Sequence, residues 1–160
     1  MNPRLVPIAS LLRYSEALFE TSLSGLTREQ GLLRSGDGTN PVFWIAAHLV
    51  TTRSGLGLMI GLELPRPWGT RFTRGSELSD LATIPEADEI RAAWTSVSGP
   101  LASRLAQLTD EELDAPAPRA FPIEDKSLLG GVGFLAYHEA YHVGQMAFVR
   151  KALGLGALVG

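Results

Sequence analysis

Apolar residues recur every three or four positions along most of this chain, and nowhere do they alternate over the length of a strand. That period is the helical one. Leu5, Ile8, Leu12, Phe19 and Leu23 mark one stripe, broadened by Leu11 and Leu18, and predict a first helix over 5–23 that Gly25 ends. Thr27 and Gln30 have the spacing of a capping box for a short helical turn, and the run Ser35-Gly36-Asp37-Gly38-Thr39 is a loop. Asn40 as N-cap and Pro41 at the first helical position predict a second helix over about 42–60. Pro65, Pro67, Gly69 and Gly75 break the period over 64–80, which reads as a long ordered loop.

Thr83 and Glu86 again have capping-box spacing, opening a third helix over roughly 85–108 with Ile90, Trp94, Val97, Leu101, Leu105 and Leu108 on its apolar stripe. Gly99-Pro100 should kink or loosen its middle. Pro116, Pro118 and Pro122 make 115–125 a second long connection. The last helix starts between Ser127 and Phe134 and runs to Leu153, its beginning blurred by Gly130, Gly131 and Gly133. Four long amphipathic segments indicate an all-α four-helix bundle with long ordered loops, a single domain over 1–160.

Composition narrows the chemistry. At 160 residues, 45% apolar and 19% charged, the balance is that of an ordinary soluble domain. No apolar run is long enough to span a bilayer and the N-terminus has no signal-peptide pattern, so the expectation is a cytoplasmic protein without a membrane partner. The absence of cysteine excludes disulfides and thiolate-held metals. A net charge of −3 gives no global reason to expect nucleic-acid binding. Arg66, Arg71 and Arg74, with Trp68 and Phe72 between them, form only a small basic run, which an ordinary ordered loop explains.

The only three histidines fall in two places, His48 and the pair His138 and His142. Positions i and i+4 of a helix lie one turn apart on one face, so the pair can grip one ion from one side and His48 can supply a third nitrogen from a facing helix. Three protein ligands leave a further position open, the arrangement of a reactive metal site. Histidines satisfied within a core are the competing reading, and the residues alone leave both standing. The segment from His138 to His142 also matches H-E-x-x-H, the zinc-protease pattern. None of the residues after His142 is Asp, Glu or His, and the sheet of the usual protease context is missing, so that reading is rejected.

The segment Tyr137-His138-Glu139-Ala140-Tyr141-His142-Val143-Gly144-Gln145 resembles the H-x-x-x-H-x-G-Q signature of the DinB-like (damage-inducible, YfiT-like) metal-binding proteins. Asn40-Pro41-Val42-Phe43-Trp44-Ile45-Ala46-Ala47-His48-Leu49 resembles that family's second-helix motif, and Arg53 and Gly61 fit its pattern too. The resemblance spans essentially the whole chain. It implies a four-helix bundle, often a homodimer, holding a divalent ion on His48, His138 and His142, commonly zinc or nickel and sometimes iron or manganese.

The same resemblance suggests two reactions on a small-molecule substrate. One is transfer of a low-molecular-weight thiol, as in family members that use bacillithiol or mycothiol, with the metal lowering the thiol's pKa. The other is hydrolysis with water activated by the metal, and a non-catalytic metal-binding module is the remaining alternative. Glu139 and Arg53 are the candidates for a catalytic role, Glu139 to position water, and Arg53, Arg71 and Arg74 for holding the thiol's carboxylate or sugar. Gln145 can hydrogen-bond across the bundle, its commoner role, or beside a ligand. Gly144 is expected to mark a close approach by a neighbouring helix. Tyr137, Tyr141, Trp44 and Phe134 are candidates to wall a pocket or simply to fill the core.

Overall fold

The computed structural model describes residues 1–34, 36, 38–76 and 80–158. Among these residues six α-helices follow one another: α1 (Val6–Leu23), α2 (Arg28–Leu32), α3 (Val42–Met59), α4 (Ala87–Leu105), α5 (Asp110–Asp114) and α6 (Leu128–Ala152). Among the described residues there is no strand, only an isolated antiparallel bridge between Pro116 and Ser127. Among the described residues, no helix is long and apolar enough to cross a membrane.

The four long helices form the bundle. α1 packs on α6 and α4, and α3 packs on α4 and α6, so α1 stands opposite α3 and α4 opposite α6. The links from α1 to α3 and from α4 to α6 therefore cross the bundle. Each crossing link contains one of the short helices. Because α3 is the inner helix, its first half is buried on every side from Val42 to Val50, and an amphipathic stripe gives way there to a continuous apolar run. α1 shows the opposite case: Leu12 and Phe19 are buried while Leu11 is 55% exposed, so the stripe is narrower than its leucines suggest.

Local chemistry accounts for most element boundaries. A 3-10 turn at Pro3–Leu5 leads into α1, and Gly25 follows its end at φ +72°, a conformation that favours glycine. α2 has both bonds of the Thr27–Gln30 capping box. α3 begins one residue later than the Asn40-Pro41 pattern predicts, with Pro41 itself at the N-cap and no side-chain cap. The expected Thr83–Glu86 capping box does not form. A 3-10 turn over Leu81–Thr83 takes up Thr83, whose hydroxyl donates to the Asp80 carbonyl, and α4 starts after Glu86 without a side-chain cap.

α4 runs through Pro100 without a break, the proline sitting on its exposed side. α5 was not expected, although Thr109 and Glu112 form the same reciprocal capping box. Ser127 caps α6 by accepting from the Gly130 amide, and the glycines that follow are inside the helix. A Cβ at Gly131 would lie 2.8 Å from the Phe121 ring, so the connection can close onto α6 only where that side chain is missing. Ser35 and Asp37 of the first predicted loop, and 77–79 of the second, lie outside the described residues.

Candidate metal centre

The three histidines meet between α3 and α6. His48 is buried one turn after Trp44, whose indole stacks on its ring at a centroid distance of 5.3 Å and an interplanar angle of 11°. Phe72, buried in the stretch between α3 and α4, meets the Trp44 ring edge-on and offers its own carbonyl to His48 Nδ1 at 2.6 Å. α6 brings His138 and His142 to the facing side. Their Nε2 atoms are 3.2 Å apart, and His48 Nε2 lies 3.3 Å from that of His138.

Hydrogen bonding fixes which nitrogens carry protons. His48 Nδ1 faces a carbonyl and His142 Nδ1 faces Gln145 Oε1 at 2.7 Å, both acceptors, so each Nδ1 donates. Gln145 is itself oriented by its amide nitrogen, which donates to the Tyr141 hydroxyl at 3.2 Å. The Nε2 atoms of His48 and His142 consequently present lone pairs, and both point at His138 Nε2. One proton on His138 Nε2 can serve only one of them, whereas a cation at the common point serves all three.

The donor set fits such an ion. Nitrogens about 2.0–2.1 Å from a tetrahedral zinc stand about 3.3 Å from one another, which the two separations to His138, 3.2 and 3.3 Å, match. The pair His48 and His142 is the wider one and closes onto the ion when it binds. Each histidine contributes one atom, and these atoms lie within 4.8 Å of one another. Burial disfavours the charged form of all three imidazoles. It lowers the His48 pKa, with the Phe72 carbonyl opposing. His138 is pushed down to about 4 by burial, then by the other two histidines, Arg119 and Arg74. His142 is likewise pushed down to about 4 by burial and His48, with Gln145 opposing. His138 Nδ1 is buried without a hydrogen-bond partner among the described residues.

Two clefts flank the triad. One, of about 390 Å³, opens beside His48 and His138 and is lined by Arg66, Arg74, Arg119, Phe121 and Phe134 among others. The second, of about 620 Å³, opens beside His142 under Tyr141, Gln145 and Phe148. Gly144 lies on this second cleft with no atom within 4 Å of where its Cβ would stand, so it marks an open surface rather than a close helix approach. Trp44 belongs to the core and lines neither cleft, Phe134 lines the first cleft, and Tyr137 is 65% exposed.

The structure brings Arg53 and Glu139 together, but with each other. Arg53 Nε and Nη2 donate to the two Glu139 oxygens at 2.8 Å each, and both residues are buried. Nη1 donates to Glu16 at 3.1 Å and to Ser98, and Nη2 also donates to the Leu12 carbonyl at 3.2 Å. All five N–H groups are thus used, and the guanidinium lies 3.7 Å from the Trp94 ring centroid. Burial opposes the Arg53 charge, but Glu139 and Glu16 together more than restore it and the Arg53 pKa is raised. Burial also pushes the Glu139 carboxyl above the usual range, against the pull of Arg53. This ion pair braces α1, α3, α4 and α6 instead of lining either cleft.

Arg71 is placed apart from the triad as well, donating to the Thr83 carbonyl at 3.4 Å beside a different, shallow surface. Of the basic run, Phe72 is buried and Trp68 donates to Glu89, so the run does not present two free aromatic faces. Sequence reasoning missed Arg119, which a proline-rich connection carries to the cleft. It also missed the Phe72 carbonyl, which no sequence pattern announces. Of the two roles open to Gln145, the bond across the bundle does not form among the described residues and the one beside His142 does.

The DinB superfamily model matches residues 11–146 of this chain. The chain belongs to the DinB superfamily. Two solved structures share its fold. A DinB-like protein from Bacillus cereus ATCC 10987 is 19% identical with a TM-score of 0.65, the alignment covering 89% of this chain and 87% of that one. YfiT from Bacillus subtilis is 20% identical with a TM-score of 0.67, over 92% of this chain and 86% of that one. YfiT is described as a probable metal-dependent hydrolase with an unusual four-helix bundle topology. No curated protein matches the chain.

Proposed function

We propose that this DinB protein is a metal-dependent enzyme that holds one divalent ion on His48, His138 and His142 and transfers a low-molecular-weight thiol to an electrophilic small molecule. The observation that carries the metal reading is the pair of donating Nδ1 atoms, which leaves the Nε2 lone pairs of His48 and His142 aimed at one point with His138. A divalent ion bound there supplies Lewis acidity, lowering the pKa of a nucleophile beside it.

The chain's own residues do the rest. Phe72 and Gln145 hold two imidazoles in the ligating tautomer, the role such outer partners play at metal sites. Trp44 keeps the His48 ring plane fixed. Thiol transfer is favoured over hydrolysis because no carboxylate lines either cleft among the described residues, and Glu139 is committed to Arg53. A thiol, with an ordinary pKa of about 8.5, needs far less help to ionise than water does. Hydrolysis is the second reading, supported by the description of YfiT and by the three-histidine donor set, since zinc on such a set brings water to a pKa of about 7.

The metal-loaded protein is to be assayed with an alkyl halide in the presence and absence of low-molecular-weight thiols, beside ester and amide hydrolysis without thiol. Thiol-dependent turnover that disappears in His48→Ala is expected. Turnover of esters or amides without thiol would establish the second reading, and inactivity of the loaded protein in every assay would overturn both.

A further inference from the structure

The cleft beside His48 and His138 is cationic in a chain that is not. Arg66 and Arg74 reach it from the stretch after α3, and Arg119 from the connection between α5 and α6. None of the three side chains makes an ion pair or a hydrogen bond among the described residues; Arg119 has only a ring contact, its guanidinium 4.7 Å from the Phe121 centroid. Among the described residues Arg4, Arg28, Arg53, Arg91 and Arg104 are each paired with a carboxylate, and Arg13, Arg71 and Arg150 donate to a hydroxyl or carbonyl oxygen. Arg34 is the other arginine without such a partner there, and it stands alone, whereas Arg66, Arg74 and Arg119 share one cleft.

Three guanidinium groups without a carboxylate partner among the described residues repel one another around one concave surface, and a cleft concentrates their field. They supply flat, forked donors suited to carboxylate or phosphate oxygens. Phe121 and Phe134 give the same cleft an apolar wall. Among the described residues, no Asp, Glu, Lys or Arg lines the cleft on the other side of the triad. The field is therefore one-sided, and it can orient a ligand as well as attract it.

We propose that this cleft is an anion subsite, taking the carboxylate or phosphate group of a partly apolar substrate on Arg66, Arg74 and Arg119 with its apolar part against Phe121 and Phe134. The proposal deepens the metal-enzyme reading and rests on it for what the bound anion would lie beside, but the arginines bind the anion without help from an ion. Binding is to be measured by titration calorimetry on the full chain stripped of metal by a chelator, with phenyl phosphate and benzoate as probes. Metal content of every variant is measured separately.

Saturable, salt-sensitive binding of at least one probe is expected, weakened about tenfold or more by Arg74→Ala and by Arg119→Ala. Arg13→Ala, which removes the same charge from the exposed side of α1, should leave it unchanged. The stronger probe tells which of the two anionic groups the arginines prefer. No saturable binding to the stripped protein, binding only when metal is present, or equal weakening by Arg13→Ala would each overturn the subsite. Arginine-dependent binding by a chain that never retains metal would keep the subsite and sink the metal reading; a metal-loaded chain indifferent to both probes would do the reverse.

Discussion

Replacing Arg53 with methionine should destabilise the bundle strongly without disturbing the histidine triad. Arg53 is the only hydrogen-bond partner of the Glu139 carboxylate among the described residues, through two bonds of 2.8 Å, and Glu139 is 2% exposed. Glu16, by contrast, is partly exposed and can return to water, and Ser98 keeps its bond to the Trp94 carbonyl. The cost of Arg53→Met is therefore that of one stranded buried carboxylate, about 3–5 kcal/mol. In a chain of this size that corresponds to a drop in Tm of about 6–20 °C.

Chemical denaturation of the metal-free protein, followed by far-UV circular dichroism, measures it. The penalty should shrink as the pH is lowered, because burial favours the protonated carboxyl and a neutral Glu139 no longer needs a partner. The double variant Arg53→Met with Glu139→Leu should be more stable than Arg53→Met alone, since nothing charged is then left inside. A single variant within about 1 kcal/mol of the parent, or a double variant whose costs simply add, would refute the idea that this pair acts as an internal brace. So would loss of turnover in Arg53→Met with stability unchanged, which would return the two residues to the catalytic role their sequence positions suggested.

Gln145→Ala should weaken metal affinity about 10–100-fold in competition with a chelator while leaving the stoichiometry at saturating metal intact; an unchanged affinity would show that the His142 tautomer needs no such support. Metal-free protein should lose stability as the pH falls from about 6.5 towards the value of about 4 at which His138 and His142 themselves titrate. In that window the unfolded histidines take up protons and the folded ones do not; denaturation midpoints that stay flat between pH 7 and pH 5 would contradict it. Gly131→Ala, whose new methyl would meet Phe121 at 2.8 Å, should cost about 1–3 kcal/mol. Gly144→Ala meets nothing within 4 Å and should gain up to about 1 kcal/mol from helix propensity; thermal melts giving both the same sign would show that the packing around α6 is misread.

What the sequence reveals here is what is local. The i, i+4 spacing of His138 and His142, the Thr27 capping box and the three-four stripes are written within a turn or two of chain, and they place the bundle and two of the three triad residues. The Thr109–Glu112 box was equally legible and heralds α5. Thr83 and Glu86 show the limit of the same signal, because Thr83 is taken up by the 3-10 turn over Leu81–Thr83 and α4 has its N-cap three residues later, at Glu86. Pairings across long stretches of chain leave no local trace. Arg53 and Glu139 look like site residues because they sit near the histidines in sequence, yet a helix turns about 100° per residue, and that rotation points Glu139 into the bundle while His138 faces the cleft. The Phe72 carbonyl and Arg119 are delivered by connections whose course depends on what they pack against, Trp44 in one case and, through Phe121, Gly131 and Phe134 of α6 in the other.

Elemental analysis of protein purified without an affinity tag, run beside His48→Ala and His138→Ala, puts the central claim to its most direct test. About one equivalent of zinc, nickel, iron or manganese per chain in the parent, absent from both variants while their helical content is kept, is the expected result. A parent that carries no metal and retains none after incubation with divalent ions, or variants that bind as much as the parent, would contradict it.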